Sequence, residues 1–149
     1  MIYYEDVEIG QKRSFGSYEV TREEVLDFAR KYDPQPFHLS DEAAAKTHFG
    51  RLAASGWHTC AMTMSMLVKH LQANPEASQG AAGIEELRWL KPVFPGDTLR
   101  GESEVLEKRE LASKPGMGML TTQTTTFNQH GEPVMRFSGK ILMRKRPLD

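Results

Sequence analysis

Apolar residues recur at helical spacing through the first half of the chain and at strand spacing in the second. Val25, Phe28, Ala29 and Tyr32 follow the capping box Thr21-Arg22-Glu23-Glu24, which predicts a first helix that ends at Asp33. Ser40 opens a short second helix, with Asp41 and Glu42 in its first turn and Ala43 to Ala45 behind. From Trp57 to Leu71 apolar side chains fall on nearly every side of a helical wheel, the pattern of a helix buried by its surroundings, and Ser55 is its N-cap. After the polar break Asn74-Pro75-Glu76-Ala77-Ser78-Gln79-Gly80, strands are expected over 83–90, 98–109, 118–128 and 133–145. His130-Gly131 supplies a hairpin turn, and Met135, Phe137, Ile141 and Met143 supply an apolar face. One long buried helix before several antiparallel strands is the α+β pattern in which a sheet wraps a helix. No internal repeat, low-complexity segment or interdomain linker interrupts it, so residues 1–149 read as one domain.

Candidate chemistry concentrates at the end of the first helix. Asp33 and His38 stand in Tyr32-Asp33-Pro34-Gln35-Pro36-Phe37-His38, where Pro34 and Pro36 make a continuing helix unfavourable and restrict both side chains. A carboxylate and an imidazole held this way suit general base and general acid work. The same Asp could also simply bond nearby backbone N–H groups in a Pro-rich turn. Gly56, just after the Ser55 cap, lies in the first helical turn, where N–H groups lack intrahelical partners and the dipole favours negative charge. A donor there could meet a developing enolate oxygen, an effect worth about 3 to 4 kcal/mol for one donor. The alternative use of Gly56 is close packing of the helix against a sheet.

Asp33-Pro34-Gln35-Pro36-Phe37-His38, then Ser55-Gly56 at the head of an apolar helix, then Lys91-Pro92-Val93-Phe94-Pro95-Gly96-Asp97-Thr98-Leu99, resemble the MaoC-like (R)-specific enoyl-CoA hydratases of the hot-dog fold. The resemblance runs from Val7-Glu8-Ile9-Gly10-Gln11 to the last strand. Two departures stand out: Gln35 where the family often has Asn, and Ser55 where it often has His before the helix glycine. Both bear on substrate preference and on the hydrogen bonds that orient His38. The resemblance implies reversible addition of water to a trans-2-enoyl thioester. In it Asp33 accepts the water proton, His38 orients the water and serves the α-carbon, and the Gly56 N–H binds the thioester oxygen. Gln35, Ser55, Trp57 and Arg51 are the expected substrate contacts, and the substrate is carried on coenzyme A or an acyl carrier protein. It also implies a homodimer, or an assembly of dimers, with the acyl pocket near the subunit interface. No cofactor or metal is expected. A hot-dog thioesterase and a non-catalytic acyl-thioester-binding module are the alternatives, because one fold hosts many activities.

Composition narrows the partners further. With a formal net charge of -1 and 26% charged residues, nothing points to nucleic acid or to a basic membrane surface. Met1-Ile2-Tyr3-Tyr4-Glu5-Asp6 shows no basic start followed by an apolar stretch, and Thr63, Ser65 and Lys69 interrupt the Met-rich helix, so neither a secretory signal nor a membrane span is expected. The single cysteine, Cys60, excludes an intrachain disulfide, suits a reducing cytoplasm and reads as a small packed hydrophobe. His38, His48 and His58 recur every ten residues, which fits neither a helix face nor a familiar zinc motif. Ala53-Ala54-Ser55-Gly56-Trp57 lacks the leading glycine of a nucleophile elbow. Arg144-Lys145-Arg146, Arg88, Lys91 and Arg51 are candidate contacts for coenzyme A phosphates.

Overall fold

The computed structural model describes residues 1–148. Its five strands form one antiparallel sheet: β1 (Lys12–Glu19), β2 (Ser78–Trp89), β3 (Thr98–Glu110), β4 (Met117–Phe127) and β5 (Pro133–Arg144), in the spatial order β1-β3-β4-β5-β2. Helices α1 (Arg22–Tyr32), α2 (Asp41–Ala45) and α3 (Gly56–Ala73) precede all strands but the first. α3 lies against β1 and β3, and the whole is the α+β hot-dog fold.

Two strands depart from the sequence expectation. β1 was not foreseen, because only Phe15 and Tyr18 are apolar in Lys12-Arg13-Ser14-Phe15-Gly16-Ser17-Tyr18-Glu19, and their spacing is odd. The register shifts between these two residues, where Gly16 adopts φ +111°, so a bulge breaks the period-two signal. β2 begins at Ser78, inside the segment read as a polar break. Gln79 to Ala82 are exposed, and main-chain pairing with β5 rather than a buried face holds this edge, with Ser78 opposite Met143 and Ala81 opposite Ile141.

The helix caps follow the sequence, with one change. Thr21 Oγ1 accepts the Glu24 N–H at 3.2 Å, yet the reciprocal half of the capping box is missing. The Glu24 carboxylate turns inward instead, to the Tyr18 hydroxyl and to His58 Nε2 at 3.2 Å. The His58 ring stacks on Phe28 at 4.7 Å, so this cluster fastens α1 onto α3. Ser40 caps α2 through the Ala43 N–H at 3.0 Å, and Asp41 Oδ1 accepts the Leu52 N–H at 2.9 Å.

α3 buries one face rather than all of them. Met62 and Met66 enter a core with Phe15, Leu99, Val134 and Met135, and burying each such side chain contributes roughly 1.5–3 kcal/mol. Trp57, Met64 and Val68, on the outer side, are 59%, 49% and 40% exposed, so one chain does not provide the all-round burial expected of the helix. A second cluster of Tyr4, Val7, Leu120 and Met143 closes the far end of the sheet. Thus Met135 and Phe137 serve one cluster while Ile141 and Met143 serve the other.

Buried hydroxyls join the helix to the sheet. Thr63 Oγ1 donates to the Thr59 carbonyl at 2.8 Å and meets Thr126 Oγ1 at 2.7 Å, while Ser103 and Thr124 pair at 2.9 Å. Thr63→Val strands the fully buried Thr126 hydroxyl and is expected to destabilise the protein by about 1–3 kcal/mol in denaturant unfolding. Adding Thr126→Val should recover most of that loss, because neither hydroxyl is then left unpaired.

Candidate active site

Asp33 terminates α1. Its N–H still bonds the Ala29 carbonyl at 2.9 Å, but its ψ of 65° leaves the helix and Pro34 forbids return. The chain then makes a single 3₁₀ turn, Pro36–His38, which brings the His38 ring back toward the carboxylate. His38 is 5% exposed, set edge-on to Phe37 at 4.6 Å between centroids. Its Nδ1 lies 2.7 Å from the Ala53 carbonyl. A carbonyl can only accept, so Nδ1 carries a proton and Nε2 is the atom free to exchange one. Nε2 faces Asp33 Oδ2 at 3.4 Å.

Leu52-Ala53-Ala54-Ser55 threads behind this turn and is buried throughout. The Ala54 N–H bonds the Val93 carbonyl at 2.8 Å, which ties the segment to the stretch before β3. Ser55 then has two tasks. Its Oγ accepts the Trp57 N–H at 3.3 Å as the cap of α3, and donates to Asp33 Oδ2 at 2.7 Å. Gln35 Nε2 donates to the other oxygen, Oδ1, at 2.6 Å. Burial acts to raise the Asp33 carboxyl, but the Gln35 and Ser55 hydrogen bonds and the His38 imidazole outweigh it and hold the group below its ordinary value. Asp33 is therefore ionised at neutral pH.

These residues open onto a cleft of about 460 Å³. Asp33, Gln35 and His38 form its polar end. Gly56, Trp57, Trp89 and Val93 form much of an apolar wall, and His48, Phe49 and Lys91 complete the rim. Among the described residues the Gly56 N–H has no hydrogen-bond partner, as its place at the first position of α3 requires. The absence of a Cβ at Gly56 is explained by Trp89, whose indole fills that space and donates from Nε1 to the Gly56 carbonyl at 2.9 Å.

The structure thus gathers Asp33, His38, Gly56, Gln35 and Trp57 around one cleft, and sets the other two expected contacts apart. Ser55 is fully buried and reaches Asp33 instead of the cleft, so it positions the carboxylate. Arg51 stacks its guanidinium 3.9 Å from the Phe94 ring centroid and does not line the cleft. Among the phosphate candidates only Lys91 lines the rim, paired with Glu132. Lys145 and Arg146 bind Glu110 and Asp6. His48 packs on Phe49 at the rim and His58 is turned to Glu24, so the three evenly spaced imidazoles do not converge. Burial pushes the Cys60 thiol up, as befits a packed residue. Sequence reasoning passed over Trp89 as a cleft residue. Its signal was a bulky aromatic two residues before Lys91-Pro92, at the end of a strand facing the helix glycine.

An ionised carboxylate and an imidazole with a free Nε2 face one another at the polar end of the cleft, close to the N-terminus of α3. Residues 6–127 match the family model described as MaoC like domain, and the chain belongs to that family. A MaoC-like dehydratase from Rhodospirillum rubrum is 41% identical and superposes with a TM-score of 0.91 over 99% of this chain and all of that one. The R-hydratase PhaJ1 from Pseudomonas aeruginosa is 28% identical, with a TM-score of 0.69 over 99% of this chain and 88% of that one. A 3-hydroxybutyryl-CoA dehydratase of Methylorubrum extorquens is 32% identical over 72% of this chain and 66% of its own length. A mesaconyl-CoA hydratase of Cereibacter sphaeroides is 47% identical over 43% of this chain, a match that spans only 18% of that longer protein.

Ser55→Ala should raise the Asp33 pKa toward the ordinary carboxylate value, read by carboxyl-carbon NMR titration. The sign for stability follows. A depressed folded-state pKa contributes stability above the unfolded value, and that contribution is lost as pH falls through the folded value. The variant should thus be less stable than wild type at neutral pH, through the lost bond and the lost cap, with the gap narrowing as the medium is acidified through the Asp33 titration. A pH-independent gap would show that Ser55 acts as a cap alone.

Proposed function

We propose that this protein catalyses the reversible, (R)-specific addition of water to trans-2-enoyl thioesters of coenzyme A or an acyl carrier protein, giving 3-hydroxyacyl thioesters. The observation that carries the reading is the Asp33 and His38 pair, whose Oδ2 and Nε2 stand 3.4 Å apart at the cleft. That spacing is too long for a strong direct hydrogen bond and lets one water oxygen sit within bonding distance of both. Family membership supports hydration and dehydration of acyl thioesters, and the named relatives include a CoA-thioester hydratase and a CoA-thioester dehydratase.

In hydration, Asp33 accepts a proton from the held water as its oxygen attacks the β-carbon. Negative charge moves to the thioester oxygen, which the Gly56 N–H and the α3 dipole stabilise. Asp33 passes that proton to the free Nε2 of His38, and Nε2 delivers it to the α-carbon. The carboxylate and the neutral imidazole are thereby restored, so that one water has been added with no net gain or loss of protons. The Ala53 carbonyl holds Nδ1–H throughout, which keeps proton traffic on the cleft side of the ring.

The sheet supports a homodimer as the working unit. β2 is an edge strand with one side unpaired, and Ile84 on it is 49% exposed. On the outer side of α3, Trp57, Met64 and Val68 add exposed apolar surface that a second copy would cover. Light scattering should give twice the chain mass. Replacing Met64 and Val68 with Glu should shift the protein toward monomer.

The direct test follows the loss of conjugated-thioester absorbance with crotonyl-CoA, with a thiol reagent in parallel. Wild type should consume the enoyl signal without releasing thiol. Asp33→Asn and His38→Gln should each lower kcat by about 10²–10⁴-fold, the usual worth of a positioned acid or base, with the fold intact by circular dichroism. Release of free thiol would replace this reading with a thioesterase, and binding without turnover would replace it with a carrier module.

A further inference from the structure

We propose that Trp89 sets the length of acyl chain that the cleft admits, and that the chain is short; the proposal rests on the acyl-thioester reading above. Trp89 closes β2 and remains 46% exposed, which is unusual for a residue with so much apolar surface unless something fixes it there. What fixes it is the Nε1–H bond to the Gly56 carbonyl and an edge-to-face contact with Trp57, with centroids 5.2 Å apart and planes at 82°. The ring lies directly on Gly56. A Cβ built there would come within 2.7 Å of both Cδ2 and Nε1.

The indole thus covers Gly56 and Trp57, the first residues of the helix whose leading N–H is offered to the thioester oxygen. A substrate placed with that oxygen at Gly56 and its β-carbon at Asp33 and His38 has polar groups on one side. On the other, its tail meets the two indoles. Trp57, Trp89, Leu90 and Val93 line the cleft, and the fixed indole is the part of that apolar wall that a longer tail runs into. A pinned ring limits length more sharply than a mobile chain, because displacing it breaks a hydrogen bond as well as packing.

The test compares kcat/KM for crotonyl-CoA and trans-2-octenoyl-CoA in wild type, Trp89→Phe and Trp89→Ala. Wild type should favour crotonyl-CoA. Trp89→Ala should raise the octenoyl-to-crotonyl ratio by about tenfold or more, the discrimination that a few methylenes provide in an apolar pocket. Most of the change should appear in KM for the longer substrate. Trp89→Phe keeps a ring without the N–H anchor and should shift the ratio less. Octanoyl-CoA, which cannot react, should inhibit Trp89→Ala more tightly than wild type, a readout that general damage to the fold would not produce. If Trp89→Ala does not fold, Trp89→Leu carries the same expectation. An active wild type with an unchanged ratio in the variants overturns this inference alone. A wild type inactive on both substrates overturns the hydratase reading and the inference with it.

Discussion

One hydroxyl ties this site together. Ser55 Oγ receives the Trp57 N–H and gives its own proton to Asp33, so the start of α3 and the end of α1 share a single atom. The two helices meet there through a bond whose ends are a carboxylate and an unsatisfied helix terminus, both of which need a partner when withdrawn from water. The position of the carboxylate relative to the Gly56 N–H is thereby a property of the frame. Glu24 and His58 reinforce it from the opposite side of α1, where the inward-turned carboxylate holds helix against helix. Asp33 is thus fixed by its own bonds and by those of the helix that delivers it.

The order of elements and the polar heart of the site were legible in the sequence because they are local. Prolines at 34 and 36, caps at Thr21, Ser40 and Ser55, and a glycine after the last cap each act through neighbouring backbone. What was hidden depends on distant partners. β1 is disguised by its bulge at Gly16, and the first half of β2 has no apolar face because it sits at an edge. The inward turn of Glu24 needs Tyr18 and His58, neither of which a capping motif reveals. Ser55 looked available to substrate, and only the path of the 52–55 segment shows it sealed in. Trp89 meets Gly56 across 33 residues of sequence, beyond the reach of any helical or strand period.

The division of the cleft into a polar end and an aromatic wall also has a simple origin. Segments that follow helices bring Asp33, Gln35 and His38, residues chosen for turns and caps. The wall comes from the head of α3 and the tail of β2, where large apolar side chains cover the start of a helix. The titratable pair thus lies at one end of the cleft and the large apolar surfaces lie at the other.

The acceptor that fixes the His38 ring is the carbonyl of Ala53, a main-chain atom. Substitution at position 53 can crowd the loop, since Ala53 is fully buried, but it cannot erase the acceptor. The imidazole's orientation is thus inherited from the route of the chain instead of from the identity of a neighbour. As surrounding residues drift over evolutionary time, the walls of the cleft can change while the direction in which Nε2 points is preserved.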